Sequence, residues 1–193
     1  LVAAGATFGA ASLEFDLVTA SPTISIRYVF ASEEYNEYVD SLWNDVVAIY
    51  VNGVNCANVG GKPVTVNTIN GGSNPALFFD NTNGLRDTQM DGMTVPLDCT
   101  AHVAPNQVNR IRIAIADVSD PILDAAVFLP AGGIRAPGIG AVTLSVSLHM
   151  PLFFFISRYL QRPERLQAPL GPTVRRLART LLVEHMHGLP PDA

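Results

Sequence analysis

The chain has 193 residues, 48% hydrophobic and 15% charged, enough for one domain with a buried core and too apolar for a disordered polymer. Residues 1–130 carry 14 acids against 5 bases, a net −9, while residues 131–193 carry 3 acids against 7 arginines, a net +4. The acidic main part argues against nucleic acid as its partner.

Leu1 to Ala11 is small and apolar without a basic start, so it reads as a fragment edge and not as a complete signal peptide. Leu13 to Val18 (LEFDLV) reads as a strand. A turn at Ala20-Ser21-Pro22 makes Leu13 to Phe30 an expected hairpin of adjacent antiparallel strands. Ile24, Ile26, Tyr28 and Phe30 alternate with Ser25, Arg27, Val29 and Ala31, the period of a strand with one face in a core. Then comes an acidic, aromatic loop with Glu33, Glu34, Glu37 and Asp40, expected to hold a helical turn near Glu33 to Tyr38. Asp45 to Val51 is a second β-branched run.

Asn52-Gly53 is a turn, Val54 to Val59 a short strand, Gly60-Gly61 a turn, and Pro63 to Ile69 a strand. Asn70 to Asp91 is a long Asn- and Gly-rich loop. Met93 to Cys99 reads as a strand and Ala104-Pro105-Asn106 as a turn. Val108 to Ala116 is the clearest strand, with Ile111, Ile113 and Ile115 on one face and Arg110 and Arg112 on the other. A second acidic loop, Asp117 to Asp124, leads to a last strand, Ala125 to Leu129, and to a stop at Pro130-Ala131-Gly132-Gly133.

Seven or eight short strands and no long amphipathic helix before residue 150 predict an all-β fold, an antiparallel β-sandwich or jelly roll over residues 1–135. Residues 136–193 form an apolar and then basic tail, poorly defined and partly helical. Ala141 to Ile156 is apolar, but it contains His149 and Pro151 and falls short of the roughly 20 residues of a spanning helix. Arginines follow it, and Thr173 to His187 reads as an amphipathic basic helix. A degenerate membrane anchor around 141–160, an appended helical element and non-homologous sequence all remain open for this tail. Cys56 and Cys99 are the only cysteines, and one pair in an acidic β-rich chain fits an exported disulfide, the alternative being two buried thiols.

The ordered runs YVFASEEYNEYV, WNDVVAIYVNGVNCANV, PVTVNTIN, QMDGMTVPL and IRIAIADVSDPILDAAVFL resemble the bacterial choice-of-anchor L family over about residues 12–130. Trp43 and Ala125 stand where that family usually has Phe and Ser. The resemblance implies an exported, secreted or cell-surface β-rich domain with a structural or adhesive role. It brings no catalytic residues, so no enzyme is expected.

The candidate site follows from charge. Calcium takes six to eight oxygen ligands, mostly carboxylates and carbonyls held by turns. Glu33, Glu34, Glu37 and Asp45 in the first acidic loop, with Asp117, Asp120 and Asp124 in the second, would supply them if the loops meet at one end of the sandwich. A solvated acidic rim, or caps on short helical turns such as Ser32 before Glu33 and Glu34, would use the same residues differently. Asp87, Asp91 and Asp98, with Gly92 after Asp91, faintly echo an EF-hand-like loop, or simply a turn before the next strand. Tyr35, Tyr38 and Trp43, with Asn70, Asn74, Asn81 and Asn83, could bind carbohydrate, or the aromatics could plug the core. The expected partners are a surface glycan or another surface protein, with a membrane only if 141–160 is an anchor. His102, the only histidine before residue 131, is expected to be structural or exposed.

Overall fold

The computed structural model describes residues 7–119 and 122–136, together with the backbone of 143–145. The strands in chain order are β1 (Thr7–Val18), β2 (Thr23–Ser32), β3 (Val46–Val51), β4 (Val54–Asn55), β5 (Asn58–Val59) and β6 (Lys62–Thr65). After a single 3-10 turn (Pro75–Leu77) come β7 (Phe78–Asp80), β8 (Gly92–Thr94), β9 (Leu97–His102) and β10 (Val108–Val118). The last are β11 (Ala125–Phe128), β12 (Ile134–Arg135) and β13 (Thr143–Ser145). One sheet has the order β13-β1-β10-β3-β6-β5, with β4 also on β3. The other has β11-β2-β8-β7, with β9 and β12 also on β2. Every pairing is antiparallel. The fold is the all-β antiparallel sandwich that the alternation predicts.

The expected hairpin of the first two strands does not form, because β1 lies in one sheet and β2 in the other. The apolar faces of both strands need the same core. A hairpin would set Leu17 and Ile24 side by side, whereas an arch sets them face to face, and both are fully buried. The arch is tied locally. Ser21 N–H donates to Thr19 Oγ1 at 3.1 Å, and Ser21 Oγ donates to the Thr23 carbonyl at 2.8 Å. Val103 N–H donates to the Pro22 carbonyl at 2.9 Å and Asn106 N–H to the Thr19 carbonyl at 2.7 Å.

Other boundaries shift for local reasons. Val54 to Val59 is broken into β4 and β5 around Cys56-Ala57, and Met93 to Cys99 into β8 and β9 at Val95-Pro96. β8 and β9 share one side of β2, pairing with its C-terminal and N-terminal parts. The long Asn- and Gly-rich loop contains β7, which pairs with β8 and is too short to read from alternation. The expected helical turn is a run of turns with one helical-type bond, Tyr38 N–H to the Glu34 carbonyl at 3.1 Å.

Leu17, Ile24, Ile26, Phe30, Val47, Ile49 and Ile111 fill the space between the sheets. Cys56, between β4 and β5 of the larger sheet, is bonded to Cys99 on β9 of the smaller, with their Cα atoms 5.1 Å apart. The expected disulfide is therefore a staple between the two layers. Of the predicted tail, only Ala136, which is buried against the core, and the backbone of β13 are described, and β13 pairs with Asp16–Val18 of β1. The amphipathic helix, the rest of the apolar run and the arginines lie outside the described residues. Among the described residues no helix is long and apolar enough to cross a membrane.

Candidate functional site

Strand parity builds the acidic end. Along β2 the residues Ile24, Ile26, Tyr28 and Phe30 face the core, and the next in step is Ser32. Along β3 they are Val51, Ile49 and Val47, and the next in step is Asp45. Along β10 they are Ile111, Ile113 and Ile115, and the next is Asp117. Three core faces thus end in polar groups. β10 pairs with β3 with Ala116 opposite Val46, so one more step of that register sets Asp117 opposite Asp45. Asp45 is fully buried, Glu34 is 3% exposed and Asp117 is 4% exposed. Asp117 lies inside β10, not in the loop where the sequence places it.

Hydrogen bonds join the two layers at this end. Ser32 Oγ donates to Asp45 Oδ2 at 2.8 Å and accepts from Glu34 N–H at 2.9 Å. Glu33 N–H donates to the Asp124 carbonyl at 3.0 Å, and Asp124 N–H donates back to Glu33 Oε2 at 3.0 Å. The first and second acidic loops therefore meet through Glu33 and Asp124.

Glu37 has a different set of neighbours. It is exposed, and with Asp80 it acts on Asp91, whose carboxyl is held above the usual carboxylate range by partial burial first and by these two charges next. Asp80 is held below that range, chiefly because it accepts from Thr82 N–H at 3.0 Å and Thr82 Oγ1 at 2.8 Å. Asp120 lies outside the described residues. Among the described residues no group of three or more His, Cys, Asp or Glu side chains has the arrangement of a metal-ion site. The EF-hand-like spacing is dispersed by the fold. Asp98 sits on β9 in a bidentate pair with Arg27, at 2.6 and 3.0 Å, while Asp91 precedes β8 beside Glu37.

Each of the five described arginines has a partner. Arg27 pairs with Asp98, Arg110 with Asp16 and Arg112 with Glu14. Arg86 stacks over Phe79, and Arg135 donates to the Gly132 carbonyl.

The three candidate aromatics separate. Tyr35 is fully buried, its hydroxyl donates to the Ile69 carbonyl at 2.7 Å, and its ring lies 4.8 Å from that of Phe78. Burial first, and then the charge of Asp45, pushes its hydroxyl pKa well above the ordinary range. Tyr35 is thus a core side chain and is not available to a surface ligand. Tyr38 and Trp43 are 37% and 38% exposed and pack edge to face at 5.2 Å. Asn67 holds their loop. It accepts from Asp40 N–H at 2.6 Å, donates through Nδ2 to the Ser41 carbonyl at 3.0 Å, and donates its N–H to Asn44 Oδ1 at 2.9 Å. Ser119 Oγ adds a bond to the Leu42 carbonyl at 2.8 Å.

Two of the candidate amides are structural. Asn70 is buried and caps the turn at Gly72 and Ser73, and buried Asn81 clamps the loop at Arg86 and Met90. Asn74 and Asn83 are exposed, and so is His102. Sequence reasoning places Ser32 as a cap on the turn that follows, and Glu34 N–H does bond to it, but its bond to Asp45 was missed, and parity was the signal that could have found it. It also missed the grouping of Glu37 with Asp80 and Asp91, which no local pattern encodes.

No curated protein and no solved structure gave a match to the chain. The family model of the choice-of-anchor L domain matches residues 1–135, the part of the chain that carries the sandwich, and the chain belongs to that family.

Proposed function

We propose that this domain, a surface-associated β-sandwich module by its family, is a non-catalytic structural or adhesive element displayed outside a bacterial cell. In this reading a divalent cation, calcium, braces its acidic end. The observation that carries the reading is the burial of Glu33, Glu34, Asp45 and Asp117 where the two acidic loops join. Carboxylates taken out of water at one end of a core repel one another, and a doubly charged ion with oxygen preference is the ligand best suited to offset that. On this reading Glu33, Glu34, Asp45, Asp117 and Asp124 are the carboxylates the ion would draw on, and Asp120 belongs to the same loop by sequence. Calcium is abundant outside cells, which fits an interlayer disulfide as the second brace.

The test is a thermal melt of the chain in EDTA and again in millimolar calcium. An ion bound only to the native state at 100 times its dissociation constant stabilises by about 2.7 kcal/mol. The midpoint should rise with calcium, and Glu34→Gln or Asp117→Asn should remove the rise. A wild-type midpoint indifferent to calcium would leave the carboxylates as a braced polar rim and end the cation reading.

A second reading is favoured by the Tyr38–Trp43 pair. Two half-exposed rings on a loop fixed by Asn67 and Ser119 make a stacking surface of the kind sugars use, with a surface glycan as partner. Glycan-array binding lost in Trp43→Ala and kept in Glu34→Gln would select it.

A further inference from the structure

We infer that the open edge of β1 is covered by this chain's own residues 146–150, which continue β13 as one strand and so belong to the sandwich and not to a membrane anchor. β1 is twelve residues long, and on one side it pairs with β10 from Thr7 to Val18. On its other side, among the described residues, only β13 pairs, and it reaches Asp16, Leu17 and Val18 alone. The rest of that edge includes Phe15, which is buried, and Leu13, which packs against the core. An edge of this length is one that stable folds cover or blunt.

The register of β13 names the occupant. Asp16 stands opposite Ser145, Leu17 opposite Leu144 and Val18 opposite Thr143. The chain runs on from Ser145 with Val-Ser-Leu-His-Met, which extends the polar and apolar alternation of Thr143-Leu144-Ser145. The same register sets Val146 opposite Phe15, Ser147 opposite Glu14, Leu148 opposite Leu13, His149 opposite Ser12 and Met150 opposite Ala11. Opposed residues of an antiparallel pair share a face. Each apolar residue of the segment thus meets an apolar residue of β1, and each polar one a polar one. A slip of one residue in either direction would put both Val146 and Leu148 opposite polar residues.

The two strands also run out of pairing at the same place. β1 shifts its register with β10 between Phe8 and Ala11, where Gly9 has a φ of 50°. On the other strand Pro151 follows Met150 and has no N–H to give to a sheet. The chain divides into its two compact units at this point, Leu1–Met150 and Pro151–Ala193. A tethered segment whose strand has already started in register closes no further loop, so it outcompetes a strand from any other molecule. The folded domain then ends at Met150, beyond the 1–135 of the family model. Residues paired in this sheet have committed their backbone and their apolar side chains to the sandwich, so they cannot form part of a spanning helix.

The test is amide hydrogen exchange of the full chain, read residue by residue. Amides along an antiparallel strand alternate between its two neighbours. Pairing with β10 alone protects alternate amides from Ser12 to Phe15, whereas a strand on each side protects all of them. All should be slow in the wild-type chain, and equally so at low and high protein concentration. Val146→Asp with Leu148→Asp puts charge on the face shared with Phe15 and Leu13. It should speed the outward amides about tenfold or more, while the amides bonded to β10 stay slow and show that the sandwich is folded. Leu148→Ser alone gives the same readout if the double variant does not fold. Ser147→Lys, opposite Glu14, should leave every one of these amides slow. Alternate amides already fast in the wild type would mean an open edge and overturn the proposal. So would protection that depends on concentration, which belongs to a second copy, or protection that survives the double substitution, which belongs to another segment. Loss of protection in Ser147→Lys but not in the double variant would overturn the register.

Discussion

Replacing Gly92 by alanine tests how the acidic loop is anchored. Gly92 opens β8, pairs with Ser32 on β2 and lies under two aromatic rings. A Cβ at this position would stand 2.6 Å from Tyr35 Cγ, 2.7 Å from Tyr35 Cβ and 2.7 Å from Phe78 Cε2. Carbon atoms in contact prefer about 3.5–4.0 Å, so the rings or the strand must yield by roughly 1 Å. Tyr35 cannot yield freely, because its hydroxyl is bonded to the Ile69 carbonyl and its ring is backed by Phe78. Overpacking costs about 1–3 kcal/mol, and weakening a buried hydrogen bond adds about 1 kcal/mol, which gives about 2–4 kcal/mol in all. With a urea slope of about 2 kcal/mol/M, the denaturation midpoint should fall by roughly 1–2 M with the slope unchanged. Gly71→Ala is the control, since nothing lies within 4 Å of its added carbon, and it should stay within about 0.5 kcal/mol. A Gly92→Ala midpoint equal to wild type would refute the packing of Tyr35 over β8, and with it the argument that the acidic loop is pinned from beneath.

Three further outcomes follow from the same contacts. Removing the interlayer disulfide as Cys56→Ala with Cys99→Ala frees a span of 43 residues and should cost about 4 kcal/mol by loop entropy, read by urea unfolding against the oxidised chain; a loss under 1 kcal/mol would show that the staple adds little. Asn109 is fully buried and serves Ala104 N–H, Asn52 Nδ2 and the carbonyls of Ala104 and Gln107. Asn109→Ala should therefore cost about 2–4 kcal/mol, and its midpoint should drop far below that of the exposed Asn83→Ala. Tyr28 and Tyr35 both have hydroxyl pKa values raised by burial, so the folded state holds these protons more tightly than the unfolded state does. That stability is complete below the unfolded tyrosine value of about 10 and is lost as pH rises above it. Urea midpoints should fall between about pH 10 and 11, and with both cysteines bonded no thiol of the chain competes by exchange. A midpoint flat across that range would contradict the burial of the two rings.

Local sequence carried the fold class, most of the core and the carboxylates of the acidic end. Alternation in Ile24 to Phe30 and in Val108 to Ala116 marks the inward faces, because a strand has period two whatever lies opposite it. Asn52-Gly53 marks its turn, because both residues there adopt positive φ, 50° and 85°. Tertiary structure decided which apolar faces oppose each other. It turned an expected hairpin into an arch, since alternation says that Leu17 and Ile24 are buried but not whether they lie side by side or face to face. It also sorted residues of one composition into different roles. Tyr35 went into the core, while Tyr38 and Trp43 stayed at the surface. Glu33, Asp45, Asp117 and Asp124 were gathered at the acidic end, while Glu37 went to Asp80 and Asp91. These choices depend on register between strands far apart in the chain, such as β3 and β10, whose partners are 60 to 70 residues apart. Register is set by the packing of whole faces and not by any short run of residues.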